Sequence, residues 1–186
     1  SKNMLSVVQA MARNAARNAD PVTFADRLGE RIAALATGHD LLIRNEWRGA
    51  DVADLVRTHL VHFQDLIGTR IRIGGPQVRV NPSAAQSLGM ALHELATNAA
   101  KYGALADTAG RIDVTWSMDE GEADAVFAME WREQDGPPVT PPSRAGFGQM
   151  LMVQLTERSL SGKVTLDFAA SGVVWRLTAP AARVVE

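Results

Sequence analysis

Residues 88–102, LGMALHELATNAAKY, indicate a helix with two different sides. Four apolar residues recur at i, i+4, i+7 and i+11, the spacing of a buried helical stripe. They are Leu88, Leu92, Leu95 and Ala99. On nearly the opposite side, Glu94, Asn98 and Lys101 recur at i, i+4 and i+7. Carboxylate and amide oxygens are ligands that Mg²⁺ accepts, and an ammonium suits a phosphate. The alternative is an ordinary solvated face, which is common on surface helices.

The composition limits the classes of protein to which the chain can belong. Its 186 residues are enough for one large domain, or for one domain with an appendage, and 46% of them are hydrophobic. The net charge of −2 gives no footprint for nucleic acid, and no apolar run approaches the ~18 residues of a membrane span. The chain contains no Cys, which excludes disulfides and thiolate metal sites and fits a cytoplasmic location.

The first 38 residues carry two consecutive helical patterns. Spacing and alanine content predict a helix over residues 1–19, and Asp20 and Pro21 begin a second helix that should end at Gly38. Helices joined so tightly should pack as an antiparallel hairpin. The stripe of the second helix is Leu28, Ile32 and Leu35. We expect the apolar side of this hairpin to meet a second copy, as in a four-helix bundle, and the alternative is that the hairpin packs on the domain that follows.

Beyond a connector at 40–50, helical and strand patterns alternate. The sequence predicts helices at 51–64 and 149–161, and a central helix that begins at Asn81-Pro82. Strands are predicted at 69–73 and 77–80 as a hairpin, and at 111–118, 124–131, 163–168 and 173–179. A small-residue loop at 103–110, a turn at 120–122, a long Pro- and Gly-rich loop at 136–148 and a tail at 183–186 complete the chain. This order predicts an α+β fold, with a two-layer α/β sandwich whose sheet is covered by helices on one face.

Two further segments carry candidate chemistry. Gly146-Phe147-Gly148 precedes a predicted helix, where backbone N–H groups attract phosphate and glycine permits close approach. Residues 131–136, WREQDG, end a strand with two acidic residues. Glu133 has the parity of Trp131 and should point to the same side of the strand. Seen alone, the first segment is more typical of a flexible loop hinge, and the second is more typical of an acidic loop end.

The stretch HELATNAAKYGAL, residues 93–105, resembles the N box of sensor histidine kinases and their ATPase relatives. In particular it resembles the HWE group, a bacterial subfamily named for a His in this box and a Trp-x-Glu further on. These correspond to His93, Trp131 and Glu133. The resemblance covers about the whole chain, and the first third is matched by layout more than by motif. It implies the ATP-binding fold that histidine kinases share with gyrase-type ATPases.

The resemblance also implies roles for the polar residues of the central helix. Asn98 would hold a Mg²⁺ that bridges the phosphates of ATP, with Glu94 nearby as a second metal ligand. Glu94 would polarise the acceptor His or a water as a general base. Lys101 and Tyr102 would contact phosphate and nucleotide. His93 would be catalytic, or else a His that hydrogen-bonds within the core.

Two further positions are implied for the nucleotide. Glu133 would contact the adenine amino group, but many HWE members have two consecutive Gly where this chain has Asp135-Gly136, which leaves Asp135 as the alternative contact. The segment Gly146, Phe147 and Gly148 resembles the second Gly box, which holds the phosphates.

The resemblance further implies the organisation and partners of the protein. Residues 1–39 would form the dimerisation and phosphotransfer hairpin of a homodimer, and residues 40–186 the catalytic domain. The opening Ser1-Lys2-Asn3 resembles the end of the pattern His-Arg-x-Lys-Asn, so we expect the acceptor His before residue 1 and no autophosphorylation by this chain. A sensor domain would lie upstream, and the receiver domain of a response regulator would accept the phosphoryl group. The alternatives are an ATPase or Ser kinase of the same fold, and a scaffold that binds nucleotide or a receiver domain without turnover.

Overall fold

A computed structural model describes residues 2–18, 20–121, 124–142 and 146–186. Three sequence predictions fall partly outside these residues. They concern both ends of the first helix, the last residue of the turn at 120–122, and residues 143–145 of the long loop.

The described chain forms seven α-helices and seven strands, with one 3-10 and one π segment. The helices are α1 (Lys2–Asn18), α2 (Pro21–Arg44), α3 (Val52–His59), α4 (Pro82–Lys101), α5 (Phe147–Met150), α6 (Thr156–Leu160) and α7 (Ala181–Val184). The strands are β1 (Ala50–Asp51), β2 (Ile71–Gly74), β3 (Arg79–Val80), β4 (Arg111–Asp119), β5 (Val126–Gln134), β6 (Lys163–Ala169) and β7 (Gly172–Pro180). A 3-10 segment, Val61–Leu66, follows α3, and a π segment, Leu151–Leu155, joins α5 to α6. None of the described helices is long and apolar enough to cross a bilayer.

Five strands form one mixed sheet in the order β2-β4-β5-β7-β6, and its inner face carries the core. β2 runs parallel to β4, and the other neighbours are antiparallel. The register places one apolar row across all five strands. Its members are Ile73, Val114, Trp131, Trp175 and Leu166. The sheet packs on the helices through this face, where the Trp175 indole donates to the Met152 carbonyl at 2.9 Å. The predicted α+β class is confirmed.

The central helix α4 begins and buries its stripe as the sequence predicts. Asn81 precedes it in extended conformation and accepts a hydrogen bond from the Ala84 N–H at 2.9 Å, and Pro82 follows in the first turn. The four stripe residues are 0–1% exposed. They are Leu88, Leu92, Leu95 and Ala99. This helix therefore presents its other side, with the polar residues, away from the sheet.

The hairpin predicted for residues 69–80 is wrong. β2 joins the large sheet beside β4, whereas β3 pairs with β1 in a separate two-stranded sheet. The intervening segment crosses Trp116, whose indole donates to the Pro76 carbonyl at 2.7 Å. A Cβ on Gly75 would lie 2.5 Å from that indole, so glycine permits this crossing and does not mark a hairpin turn.

Three element boundaries in the first and last parts of the chain also differ from prediction. α2 continues through Gly38 to Arg44, because Gly38 packs beside the His59 ring and does not end the helix. α3 ends at His59 and gives way to the 3-10 segment. The expected tail at 183–186 is tied down, since Val184 is fully buried and Val185 pairs with Val80.

Only part of the stripe of α2 packs within the chain. A second apolar cluster joins the first two helices to α4 and to the helical segment after the long loop. Its buried members are Met11, Ala34, Leu35, Met90, Phe147 and Leu151. Packing on the following part of the chain, the alternative given above, is therefore what the structure shows for Leu35, whereas Ile32 is 44% exposed. The helix also runs through the predicted domain boundary between residues 39 and 40.

Candidate functional site

A cavity of about 670 Å³ lies between α4, α2, the end of β5 and the loop that precedes α5. Nine of the eleven predicted site residues line it. They are His93, Glu94, Asn98, Lys101, Tyr102, Glu133, Gly146, Phe147 and Gly148. The other two predicted site residues, Asp135 and Gly136, do not line the cavity. Asp135 is exposed in the turn after β5 with a φ of +57°, and Gly136 packs against the backbone of Ala104, where a Cβ would lie 2.8 Å from its Cα.

The polar side of α4 forms one wall of this cavity, with exposure that increases along the helix. Glu94 is only 5% exposed, Asn98 is half-buried, and the Lys101 side chain is 43% exposed and pairs with Glu30 at 3.9 Å. The i, i+4, i+7 spacing thus places a carboxylate at the bottom and an ammonium at the rim. The exposed end of this wall thus carries a cation, and its buried end carries an anion.

Glu94 is held by an arginine that the sequence analysis did not single out. Arg31 of α2 donates from Nε to Glu94 Oε1 at 2.7 Å and from Nη2 to Oε2 at 3.2 Å. Its guanidinium also lies over the Phe147 ring, 4.8 Å from the ring centre. A Cβ on Gly148 would lie 2.5 Å from Glu94 Oε2, so a larger residue here would displace the carboxylate from its position beside Arg31.

Glu133 is fixed at the opposite end of the cavity. It is 4% exposed, and its two oxygens accept hydrogen bonds from the Ala104 N–H at 2.8 Å and from the Trp131 indole at 3.2 Å. Burial raises the pKa of Glu133, and these two hydrogen bonds oppose that rise. The predicted shared parity of Trp131 and Glu133 is confirmed. The Trp and Glu of the Trp-x-Glu motif therefore form one hydrogen-bonded unit at the cavity wall.

His93 lies on the cavity side of α4, next to Glu94. Burial lowers the pKa of the His93 imidazole, and the neighbouring carboxylate of Glu94 acts in the opposite direction. A neutral ring can both donate and accept a hydrogen bond. The geometry is compatible with each of the two roles considered for this His.

The first two helices and Arg70 also shape the site, although no motif in the sequence marks them. Met11, Phe24, Leu28, Glu30 and Arg31 all line the cavity. Arg70 fixes the loop that follows α4 by donating to the carbonyls of Ala104, Asp107 and Gly110 at 2.6–3.0 Å. One signal could have revealed Arg31, because Leu28, Arg31 and Leu35 follow i, i+3, i+7 spacing. A charged residue in the middle of an apolar stripe predicts a buried ionic partner.

Comparison with known proteins places this arrangement in a family. The profile of the HWE histidine kinases matches residues 1–77. A blue-light-activated histidine kinase of Brucella anthropi is 39% identical over 180 residues, which are 96% of this chain and 37% of that protein. A relative of the same description from Brucella ovis is 38% identical over the same length. The chain belongs to the HWE histidine kinase family.

A solved structure extends this result to the fold. The histidine kinase domain of an Erythrobacter litoralis blue-light activated histidine kinase superimposes with a TM-score of 0.65. The match covers 96% of this chain and 84% of that domain, at 18% identity. At that identity the likeness shows the fold alone, which is the α+β fold of a histidine kinase domain.

Membership of the HWE histidine kinases confirms the resemblance drawn from His93, Trp131 and Glu133. The profile match itself covers α1 to β2, the part of the chain in which the sequence offered the fewest motifs. The chain spans 37% of the length of the first curated relatives. It therefore matches one portion of each of these relatives.

Proposed function

We propose that this chain is the catalytic core of an HWE histidine kinase, which binds ATP and Mg²⁺ and directs the γ-phosphoryl group to a His of the helical hairpin. One observation carries the proposal. Residues from three separated segments, 93–103, 133 and 146–149, line one cavity of about 670 Å³. That volume suits a ligand of nucleotide size. The family relationship supports the same conclusion.

The donor groups of the cavity suit a nucleotide whose phosphates share a metal ion with the protein. Among the described residues, no group of three or more His, Asp or Glu could hold a metal by itself. Mg²⁺ typically takes few protein ligands and completes its shell with water and phosphate oxygens. Asn98 offers such an oxygen on the cavity wall, and the two oxygens of Glu94 have lone pairs beyond those that Arg31 occupies.

On this proposal, one end of the cavity holds the adenine and the other end holds the phosphates. Glu133 faces the cavity and would accept a hydrogen bond from the adenine amino group, whereas Asp135 lies outside the lining. The segment Gly146–Gly148 and Lys101 would receive the phosphates. ATP supplies the phosphoryl group when bound. Glu94 would act as the general base toward the N–H of the acceptor imidazole, whose other nitrogen attacks with its lone pair, and positioning accounts for most of the catalysis in such transfers.

We also propose the partners that the family implies. The phosphoryl group would pass from the His to an Asp in the receiver domain of a response regulator. Several large apolar side chains of α1 and α2 remain exposed and suit a second copy of the chain, with residues 1–39 as the dimerisation and phosphotransfer module. They are Leu5, Val22, Ile32 and Ile43, at 64, 68, 44 and 51% exposure. Sedimentation of the purified chain over a range of concentrations tests this homodimer.

Calorimetric titration with an unhydrolysable ATP analogue, with and without Mg²⁺, tests the nucleotide site. We expect saturable binding that Mg²⁺ strengthens. Asn98→Ala should weaken binding in Mg²⁺ by about tenfold, the effect of losing one charge-assisted contact, and should leave metal-free binding unchanged. Gln86→Ala removes an amide from the same helix away from this cavity and serves as the control. Unchanged Mg²⁺-assisted affinity in Asn98→Ala would refute the metal assignment, and no binding at millimolar nucleotide would favour the scaffold.

A further inference from the structure

Helix α2 forms a wall of the proposed nucleotide cavity. Phe24, Arg27, Leu28, Glu30 and Arg31 line it from this helix. The nucleotide contacts proposed above all come from residues 93–148, and none of them explains why a charged side chain of α2 enters the cavity. Of the three charged residues that α2 contributes, Arg27 and Glu30 are exposed, whereas the Arg31 side chain is only 13% exposed.

Arg31 lies beside the segment proposed to receive the phosphates. Its Nη2 is 3.6 Å from the position that a Cβ of Gly148 would occupy, and its guanidinium covers the Phe147 ring. The ion pair with Glu94 fixes the plane of the guanidinium. A guanidinium has five N–H donors, and this pair uses two of them. Three donors lie outside this pair, on a side chain that lines the cavity.

The charges around the cavity make this position significant. Besides His93 and Tyr102, the ionisable residues described in the lining are three cations and three carboxylates. They are Arg27, Arg31, Lys101, Glu30, Glu94 and Glu133. These charges balance, so net charge does not attract a polyphosphate, and the placement of individual cations must do so. Arg27 is exposed and the Lys101 side chain is 43% exposed, which leaves Arg31 as the most buried cation of this described set. A partly desolvated cation interacts more strongly with an anion than one in water does.

We propose that Arg31 is a binding residue for the phosphates of the nucleotide, supplied by α2. This inference rests on the proposed function and adds a ligand from outside the motif segments. It has a thermodynamic consequence. If the phosphates bind a residue of α2, then nucleotide binding and the packing of α2 against the cavity must strengthen one another by the same factor.

The test compares ligands with and without phosphates. Wild type, Arg31→Met and Arg44→Met are titrated by calorimetry with adenosine and with the ATP analogue. Arg44 is exposed at the end of the same helix and controls for the loss of one charge. We expect Arg31→Met to lose about tenfold to a hundredfold in affinity for the analogue, the range for a charge-assisted hydrogen bond, and less than twofold for adenosine. Arg44→Met should bind both ligands as wild type does.

Three results would overturn the inference while the proposed function stands. The first is unchanged or tighter binding of the analogue by Arg31→Met. The second is an equal loss of affinity for adenosine and for the analogue, which indicates a purely structural role. The third is an equal loss of affinity for the analogue in Arg44→Met. Failure of the wild type to bind the analogue would instead refute the proposed function. If circular dichroism shows that Arg31→Met is unfolded, Arg31→Lys takes its place. This variant keeps the positive charge but lacks the planar, bidentate donors of the guanidinium. Amide exchange gives a second readout, since the analogue should slow exchange in α2 of the wild type, and unchanged rates would contradict the proposal.

Discussion

Replacing His59 by Gln should remove a large part of the acid sensitivity of this fold. His59 ends α3 and is 9% exposed, and its Nε2 has no hydrogen-bond partner among the described residues. The ring lies between Gly89 of α4 and Gly38 of α2. Burial, with a smaller contribution from His93, lowers the pKa of His59 from 6.5 to about 4.

The sign and size of the effect follow from this shift. Between pH 6.5 and about 4 the unfolded chain binds a proton at this position and the folded chain does not, so acid favours unfolding. The contribution of His59 to stability is therefore fully present above pH 6.5 and is lost as the pH falls towards 4. At about 1.4 kcal/mol per pKa unit, the whole loss is about 3 kcal/mol, of which about 2 kcal/mol is reached at pH 5.

Urea unfolding at pH 8 and pH 5, followed by tryptophan fluorescence, measures this difference. The decrease in the free energy of unfolding between the two pH values should be about 2 kcal/mol smaller in His59→Gln than in wild type. His62→Gln removes an exposed imidazole from the next segment and should keep the wild-type decrease. Equal decreases in His59→Gln and wild type would show that this ring is not the acid-sensitive group.

Two further predictions concern stability. A Cβ on Gly89 would lie 2.5 Å from His59 Nε2, so Gly89→Ala should lower the free energy of unfolding by about 1–3 kcal/mol. A Cβ on Gly38, within α2, would have its nearest neighbour at 3.7 Å, so Gly38→Ala should raise the free energy of unfolding by about 0.5–1 kcal/mol. Thermal unfolding of the two variants would contradict this argument if both midpoints moved in the same direction. Asn81→Ala removes the side-chain oxygen that caps α4 and should lower the free energy of unfolding by about 1 kcal/mol. Asn81→Ser keeps a capping oxygen and should largely restore stability. Equal losses of stability in the two variants would argue against capping.

The features that the sequence predicts best are those set by contacts within one element. The stripe of α4 repeats with helical period and is buried as expected, because one side of a helix must face the sheet. Asn81 and Pro82 mark its start through local backbone chemistry. The parity of Trp131 and Glu133 follows from the two-residue period of a strand, and this period also placed Glu133 in the cavity wall.

Pairings between distant parts of the chain were not predictable in the same way. The pattern around Gly75 is compatible with a hairpin turn and with a crossing over another residue, and only Trp116, some forty positions later, decides between them. The same holds for Gly38. The sequence does not distinguish a glycine that ends a helix from a glycine that packs beside the ring of His59. In both cases the partner that requires the glycine lies on another element.

The candidate site shows the same limit in its chemistry. Periodicity identified Glu94 as a carboxylate that projects from α4, but it could not show that a cation from α2 already occupies it. A buried carboxylate requires a partner, because an unpaired charge in a site only 5% exposed is strongly unfavourable. The chain meets this requirement with Arg31, 63 positions away, and the same guanidinium covers Phe147 of the glycine-rich segment. The first two helices are therefore part of the site's electrostatics, and any change that displaces α2 must alter the environment of Glu94.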